Sequence, residues 1–146
     1  MRELIRRKFE VDVPLEAAWQ HLAQVEEWPS WARHIKQVEL TPKGELTLST
    51  VGRFRLAGGV NSDFKMIELN PLQNWKWVGP FLWLIVQYDH RFERVDEKRT
   101  KLIWLVSAEG FGISVLGRLF AAIYNRNLDR AIPLVIREMV HTRTRS

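Results

Sequence analysis

From Ile35 to Glu109 the chain alternates apolar and polar residues, and past Gly110 the apolar residues recur every third or fourth position instead. That change of period constrains the fold more than any other feature. Alternation sends successive side chains to opposite faces of a strand, whereas the longer period lines one side of a helix. Val115, Leu116, Leu119, Phe120, Ile123, Asn127, Ala131, Val135 and Met139 fall along one side of such a helix, which runs through about residue 140 with a kink expected at Pro133. A helix of about 30 residues is roughly 45 Å long if straight. No other segment is long enough to cover a sheet, so the strands before it must wrap around it.

Turn residues cut those strands out of the middle of the chain. Segments 35–41, 45–57, 60–69, 74–79, 82–94 and 99–109 are separated by Pro42-Lys43-Gly44, Gly58-Gly59, Asn70-Pro71 and Gly79-Pro80, among others. Connections this short join antiparallel neighbours, so the six strands form a meander. A further strand covers Leu4 to Val13 and stops at Pro14, which cannot continue a ladder but suits the first turn of a helix. Leu15, Trp19 and Leu22 give that helix its apolar side through Val25. The stretch VEEWPSWARHI, residues 25–35, interrupts it: Pro29 pushes Trp28 out of the helical region, and a second helical turn is expected over Ser30–His34. The order β-α-α-β-β-β-β-β-β-α predicts an α+β fold of one domain over 1–146, with a seven-stranded antiparallel sheet wrapped around a long C-terminal helix.

Composition excludes several classes. Hydrophobic residues make up 46% and charged residues 27%, which is ordinary for a globular chain. Cysteine is absent, so disulfides, thiolate metal sites and cysteine nucleophiles are excluded. His21, His34, His90 and His141 show no ligand spacing, and neither a metal nor another cofactor is expected. Gly110-Phe111-Gly112 lacks the third glycine of a dinucleotide fingerprint. The N-terminal MRELIRRKFEVDV contains no apolar run of the signal-peptide kind, and WVGPFLWLIVQY at 77–88 is short of the roughly 20 residues that span a bilayer, so a soluble, cytoplasmic protein is expected. The net charge of +5 gathers at Arg2, Arg6, Arg7 and Lys8 and in the terminal HTRTRS. A solvated surface accounts for most such runs, though basic ends also suit an anionic lipid surface or a protein partner. No RNA-binding signature or helix-turn-helix accompanies them, so nucleic acid is not favoured.

The chain resembles the helix-grip proteins of the START-like (SRPBCC) superfamily, specifically the polyketide cyclase/dehydrase group. The resemblance covers nearly the whole chain and rests on FEVDVPLEAAWQHLAQVEEWPSW (9–31), Val51-Gly52-Arg53-Phe54, ELNPLQNWKW (68–77), HRFERVDEKRTKLIW (90–104) and the terminal helix. It implies a cavity between the concave sheet and the helix, which different members use for lipids, hormones, polyketides or other apolar molecules. These are hydrophobic patterns, and they identify architecture better than activity.

Strand phases name the side chains that should face such a cavity. Leu84, Val86, Tyr88, His90 and Phe92 share one face of their strand; Leu102, Trp104, Val106 and Ala108, then Trp75 and Trp77, then Phe54 and Leu56, do the same in theirs. Phe64 and Met66 lie on one phase and Ile67 and Leu69 on the other, which a bulge near 66–67 would reconcile. The expected ligand-binding set is Trp31, Phe54, Phe64, Met66, Trp75, Trp77, Tyr88, His90, Trp104, Leu116, Leu119, Phe120, Ile123, Tyr124 and Asn127. Trp28 is read as a core elbow and Trp31 as the residue that reaches the cavity mouth. The same aromatic list also describes a packed core.

His90 and Tyr88 are the candidate catalytic groups. His90 is either a general acid, base or orienting donor, or a core histidine bonded to backbone. The leading expectation is binding of a small hydrophobic molecule, a lipid, polyketide or aromatic compound, by a monomer or homodimer. The alternatives are a cyclase or dehydratase using the same cavity, and an interaction module using the basic ends.

Overall fold

A computed structural model describes residues 1–145, with side chains described through Thr142. The arginines of the basic tail HTRTRS lie outside the described side chains. The elements are β1 (Arg2–Val11), α1 (Leu15–Ala23), a 3-10 helix (Val25–Ser30), β2 (Ile35–Thr41), β3 (Val51–Leu56), β4 (Asn61–Asn70), β5 (Asn74–Phe81), β6 (Leu84–Asp96), β7 (Arg99–Glu109) and α2 (Ile113–Arg145). The seven strands form one antiparallel sheet in the order β1-β7-β6-β5-β4-β3-β2, with α2 across its concave face. This is the α+β architecture of a sheet wrapped around a long C-terminal helix that the change of period implies, and the helix-grip fold that the resemblance implies. No described helix is long and apolar enough to cross a membrane.

Two local readings need correction. The segment 45–57 is not one strand, because β3 begins only at Val51. Before it, the Thr47 amide donates to Thr50 Oγ1 at 2.8 Å and the Ser49 amide to Thr47 Oγ1 at 3.2 Å. Hydroxyl side chains thereby offer the backbone a turn in place of a ladder. The helical turn expected at Ser30–His34 instead lies earlier, over Val25–Ser30, with Pro29 inside it. The fixed φ of proline suits a tight 3-10 turn, and the turn closes with the Trp31 amide on the Trp28 carbonyl at 3.1 Å. The bulge expected from the phases of 63–69 is present, between Met66 and Glu68.

Gly52 has a steric reason. It pairs with Phe64 across the β3–β4 ladder, and a Cβ there would lie 2.2 Å from the Phe64 ring. Hydrogen is the only side chain that lets this ring lie flat across the neighbouring strand.

The core-facing side of α2 is carried by Phe120, Leu128, Ala131, Val135 and Met139, all buried. Val115, Leu119 and Ile123, expected on this side, are 75, 52 and 52% exposed. Consecutive helical residues are about 100° apart, so Leu119 cannot face the sheet when Phe120 does, nor Ile123 when Tyr124 does. Leu116, Tyr124 and Asn127 are half-buried at the flank.

Candidate functional site

Register places the aromatic residues in rows across the sheet. Trp75, His90 and Trp104 are direct neighbours on β5, β6 and β7, and Trp77, Tyr88 and Val106 form the next row. Period-two alternation turns both rows toward α2. The VEEWPSWARHI segment closes over them: Trp28 lies 5.4 Å from Trp77, 5.7 Å from His90 and 5.2 Å from Trp31, centroid to centroid. Its indole N–H donates to the Leu22 carbonyl at 2.8 Å, which ties the 3-10 helix to the end of α1. Trp31 continues inward and stacks against Trp104 at 6.1 Å with an interplanar angle of 28°.

Between these groups remains a cavity of about 30 Å³, lined by Trp28, Trp31, Ala32, His34, Ile35, Tyr88, His90, Trp104, Val106, Tyr124, Leu128 and Ala131 among others. Ordinary ligand pockets begin near 300 Å³, while one or two waters fill a space of roughly 30 Å³. The open cavity implied by the resemblance is therefore occupied by the protein's own side chains. Larger depressions lie on the outer surface, one of about 520 Å³ over Gly52 and Gly79 with Arg53, Asp63 and Lys65 on its walls.

Of the residues singled out in the sequence, Trp31, Tyr88, His90, Trp104 and Tyr124 meet at the cavity. Phe54, Phe64, Trp75 and Trp77 form the packed aromatic cluster beside it, with Phe64 and Trp77 4.3 Å apart and Phe54 and Phe64 4.8 Å apart. Met66 is buried in the same core. Phe120 packs on Phe81 and Tyr124, Leu116 and Asn127 stand at the flank, and Leu119 and Ile123 face outward. Trp31 is 3% exposed, so it plugs the cavity from within and does not stand at an open mouth.

The polar residues here are few: His34, Tyr88, Asp89, His90 and Tyr124. His90 Nδ1–H donates to the Trp75 carbonyl at 3.4 Å, and burial pushes the imidazole down to about 4 despite the opposing influence of Asp89. Burial raises the phenols of Tyr88 and Tyr124 above their ordinary value, leaving both as protonated hydroxyls. Two buried indole N–H groups, on Trp75 and Trp104, have no acceptor among the described residues. An unpaired buried donor of this kind costs about 1–3 kcal/mol. The chemistry available is stacking and hydrogen bonding, and the carboxylate of Asp89, which also lines the cavity, is engaged by Asn74 and Arg91.

The sequence did not expose two features of this region. Trp28 appeared only as an elbow, yet it walls the cavity. Asp89, out of phase with the inward set of its strand, is on the outer face yet buried, where Asn74 Nδ2 donates to its carboxylate at 2.8 Å and Arg91 at 3.0 Å. Asn74 also donates to Glu68 at 2.6 Å. Polar residues on the outward phase of adjacent strands were the available signal, but only the pairing register aligns them.

A family model described as polyketide cyclase / dehydrase and lipid transport matches residues 3–133. Among solved structures, the Zhui aromatase/cyclase from Streptomyces sp. R1128 is similar with a TM-score of 0.71 at 17% identity, covering 92% of both chains. The di-domain ARO/CYC BexL from the BE-7585A biosynthetic pathway gives 0.73 at 18% identity, over 92% of this chain and 46% of that one. Norcoclaurine synthase from Thalictrum flavum, in complex with dopamine and hydroxybenzaldehyde, gives 0.64 at 13% identity, over 92% and 86% of the two chains. A search of the curated proteins gives no match. The family model spans both the tryptophan elbow and most of α2, the two elements that enclose the cavity, and the chain belongs to the polyketide cyclase / dehydrase and lipid transport family.

Proposed function

We propose that the protein binds a small, flat, mainly aromatic molecule that carries a carbonyl oxygen, at the cavity between the sheet and α2. The observation that carries this reading is the unpaired indole N–H of Trp104, buried on the cavity wall beside Tyr88, His90 and Tyr124. A carbonyl oxygen would satisfy that donor, and the neighbouring hydroxyls supply further donors. Trp28 and Trp31 offer ring faces to the rest of the molecule, and burial of apolar surface supplies the affinity. Family membership supports an apolar ligand, as does the norcoclaurine synthase neighbour, whose structure holds two small aromatic molecules.

Occupation requires the cavity to open, since about 30 Å³ admits no such molecule. Trp31 is the side chain to displace, because it lies in the short link between the 3-10 helix and β2, outside any ladder. Binding is favoured over cyclisation or dehydration as the main activity. A base is needed for those reactions, and His90 at about 4 is too weak a base to hold a proton near neutrality.

Titration calorimetry with anthraquinone, a flat aromatic diketone, tests the reading. Trp31→Ala should bind it more tightly than the wild-type protein, and Trp104→Phe should bind about tenfold more weakly through loss of one hydrogen bond. Absence of binding in both the wild type and Trp31→Ala, or equal affinity in Trp104→Phe, would overturn it.

A further inference from the structure

One end of the protein carries apolar side chains that none of the described residues covers. The β5–β6 turn and the β7–α2 loop meet there, because Phe81 pairs with Leu84 and Ile85 with Glu109. Leu82 and Trp83, the two residues of that turn, are 64 and 60% exposed, and Phe111 in the loop is 88% exposed. The Trp83 indole N–H donates to the Phe111 carbonyl at 2.8 Å, so the two tips form one platform. Leu82 also holds a left-handed φ of 54°, as Leu72 does at the opposite end with 65°. Glycine or asparagine is the usual residue in such a turn, and a leucine there is strained and presented to solvent. Val115, Leu119 and Ile123, four residues apart, continue the apolar stripe along α2 from the platform.

Charge identifies the occupant. Arg118 and Arg126 stand on α2 three residues beyond Val115 and Ile123, and Arg130 follows one turn later. All three are exposed, and none has an ion pair among the described residues. The nearby carboxylates of α2 are engaged, Asp129 by Arg7 at 2.8 Å and Glu138 by Ser30 and His21. Glu109 is the single carboxylate of the platform itself. An exposed Trp and Phe with a basic collar is the arrangement that seats at a membrane–water interface, where the rings enter the headgroup boundary and the cations meet anionic lipid. A second copy of the chain fits less well, since a two-fold contact would set the arginine collars against each other.

We infer that this end is a docking surface for an anionic lipid bilayer, with Leu82, Trp83, Phe111 and Val115 entering the headgroup region and Arg118 and Arg126 engaging acidic headgroups. The inference does not depend on what occupies the internal cavity. Co-sedimentation with vesicles of phosphatidylcholine, alone or mixed with phosphatidylserine, tests it. The wild-type protein should bind the mixed vesicles, less so in high salt. Arg118→Gln/Arg126→Gln should weaken binding about 25-fold, at roughly fivefold per cation removed. Trp83→Ser/Phe111→Ser should abolish it while the circular dichroism spectrum is unchanged. Failure of the wild type to bind mixed vesicles, or undiminished binding by the Trp83→Ser/Phe111→Ser variant, would overturn the inference. So would a concentration-dependent dimer in sedimentation velocity that this variant dissolves, which would assign the face to a second copy.

Discussion

The imidazole of His90 lies over the indole of Trp75 at 5.0 Å with an interplanar angle of 23°, and its Nδ1–H points to the carbonyl of that same residue. Adjacent strands thus hold ring and backbone acceptor together, and the surrounding tryptophans bury the imidazole. Burial lowers the imidazole to about 4, so the folded state takes up a proton less readily than the unfolded chain, whose histidines titrate near 6.5. Stability is therefore complete above roughly 6.5 and falls as pH drops from there toward 4, by up to about 3 kcal/mol in total. Urea unfolding at pH 7 and pH 4.5 should show this loss in the wild type and much less of it in His90→Gln. Parallel losses in the two proteins would place the acid sensitivity elsewhere.

Asn74 is the donor shared by two carboxylates, Glu68 and Asp89, on the outer face of the sheet. Asn74→Ala should cost about 3 kcal/mol, because buried Asp89 then retains only Arg91. Asn74→Asp should be worse at pH 7, where three carboxylates would meet. The gap between Asn74→Asp and Asn74→Ala should narrow as pH falls, since a protonated carboxyl restores a donor. Denaturant titrations of both variants across pH 4.5–7 measure that convergence.

Gly52→Val should destabilise the protein by about 1–3 kcal/mol, the usual cost of overpacking. Its side chain would meet the Phe64 ring, which already packs on Trp77 at 4.3 Å and cannot retreat. Combining Gly52→Val with Phe64→Leu should recover part of the loss, and thermal melts of the single and double variants give that coupling.

Trp31→Ala should lower stability by about 3–5 kcal/mol, as a large buried side chain is removed. Trp28→Phe keeps an aromatic ring, though a smaller one, but loses the bond to the Leu22 carbonyl, and should cost about 1–2 kcal/mol. If Trp28→Phe proved the more damaging of the two, the indole N–H would be the chief tie of the elbow and Trp31 a dispensable plug. Chemical denaturation of each variant ranks them.

Legibility followed the range of the interactions. Alternation on β5, β6 and β7 placed Trp75, Trp77, Tyr88, His90 and Trp104 on the inner face, and the clash of phases at Phe64, Met66, Ile67 and Leu69 located the bulge. These are properties of a few neighbouring residues. The loop at 45–50 was read as strand because its hydroxyls pair locally in a way that hydrophobic pattern does not record. On α2 an apolar stripe was legible, but whether Leu119 or Phe120 faces the sheet depends on how the helix is rotated against its neighbours.

The sequence by itself determined the order of elements, the seven strands, the covering helix and the inward phase of β3, β5, β6 and β7, because period and turn chemistry act within a few residues of the chain. Tertiary structure alone decided that Trp28 and Trp31 fold in from the elbow to leave only about 30 Å³ beside His90, and that Trp83, Phe111 and Val115 remain uncovered at the far end. Packing of this kind joins residues 28 and 31 to 77, 90 and 104, and such distances along the chain carry no periodic signal. Whether an aromatic side chain fills a cavity, lines it or stands in solvent is settled by which surfaces meet.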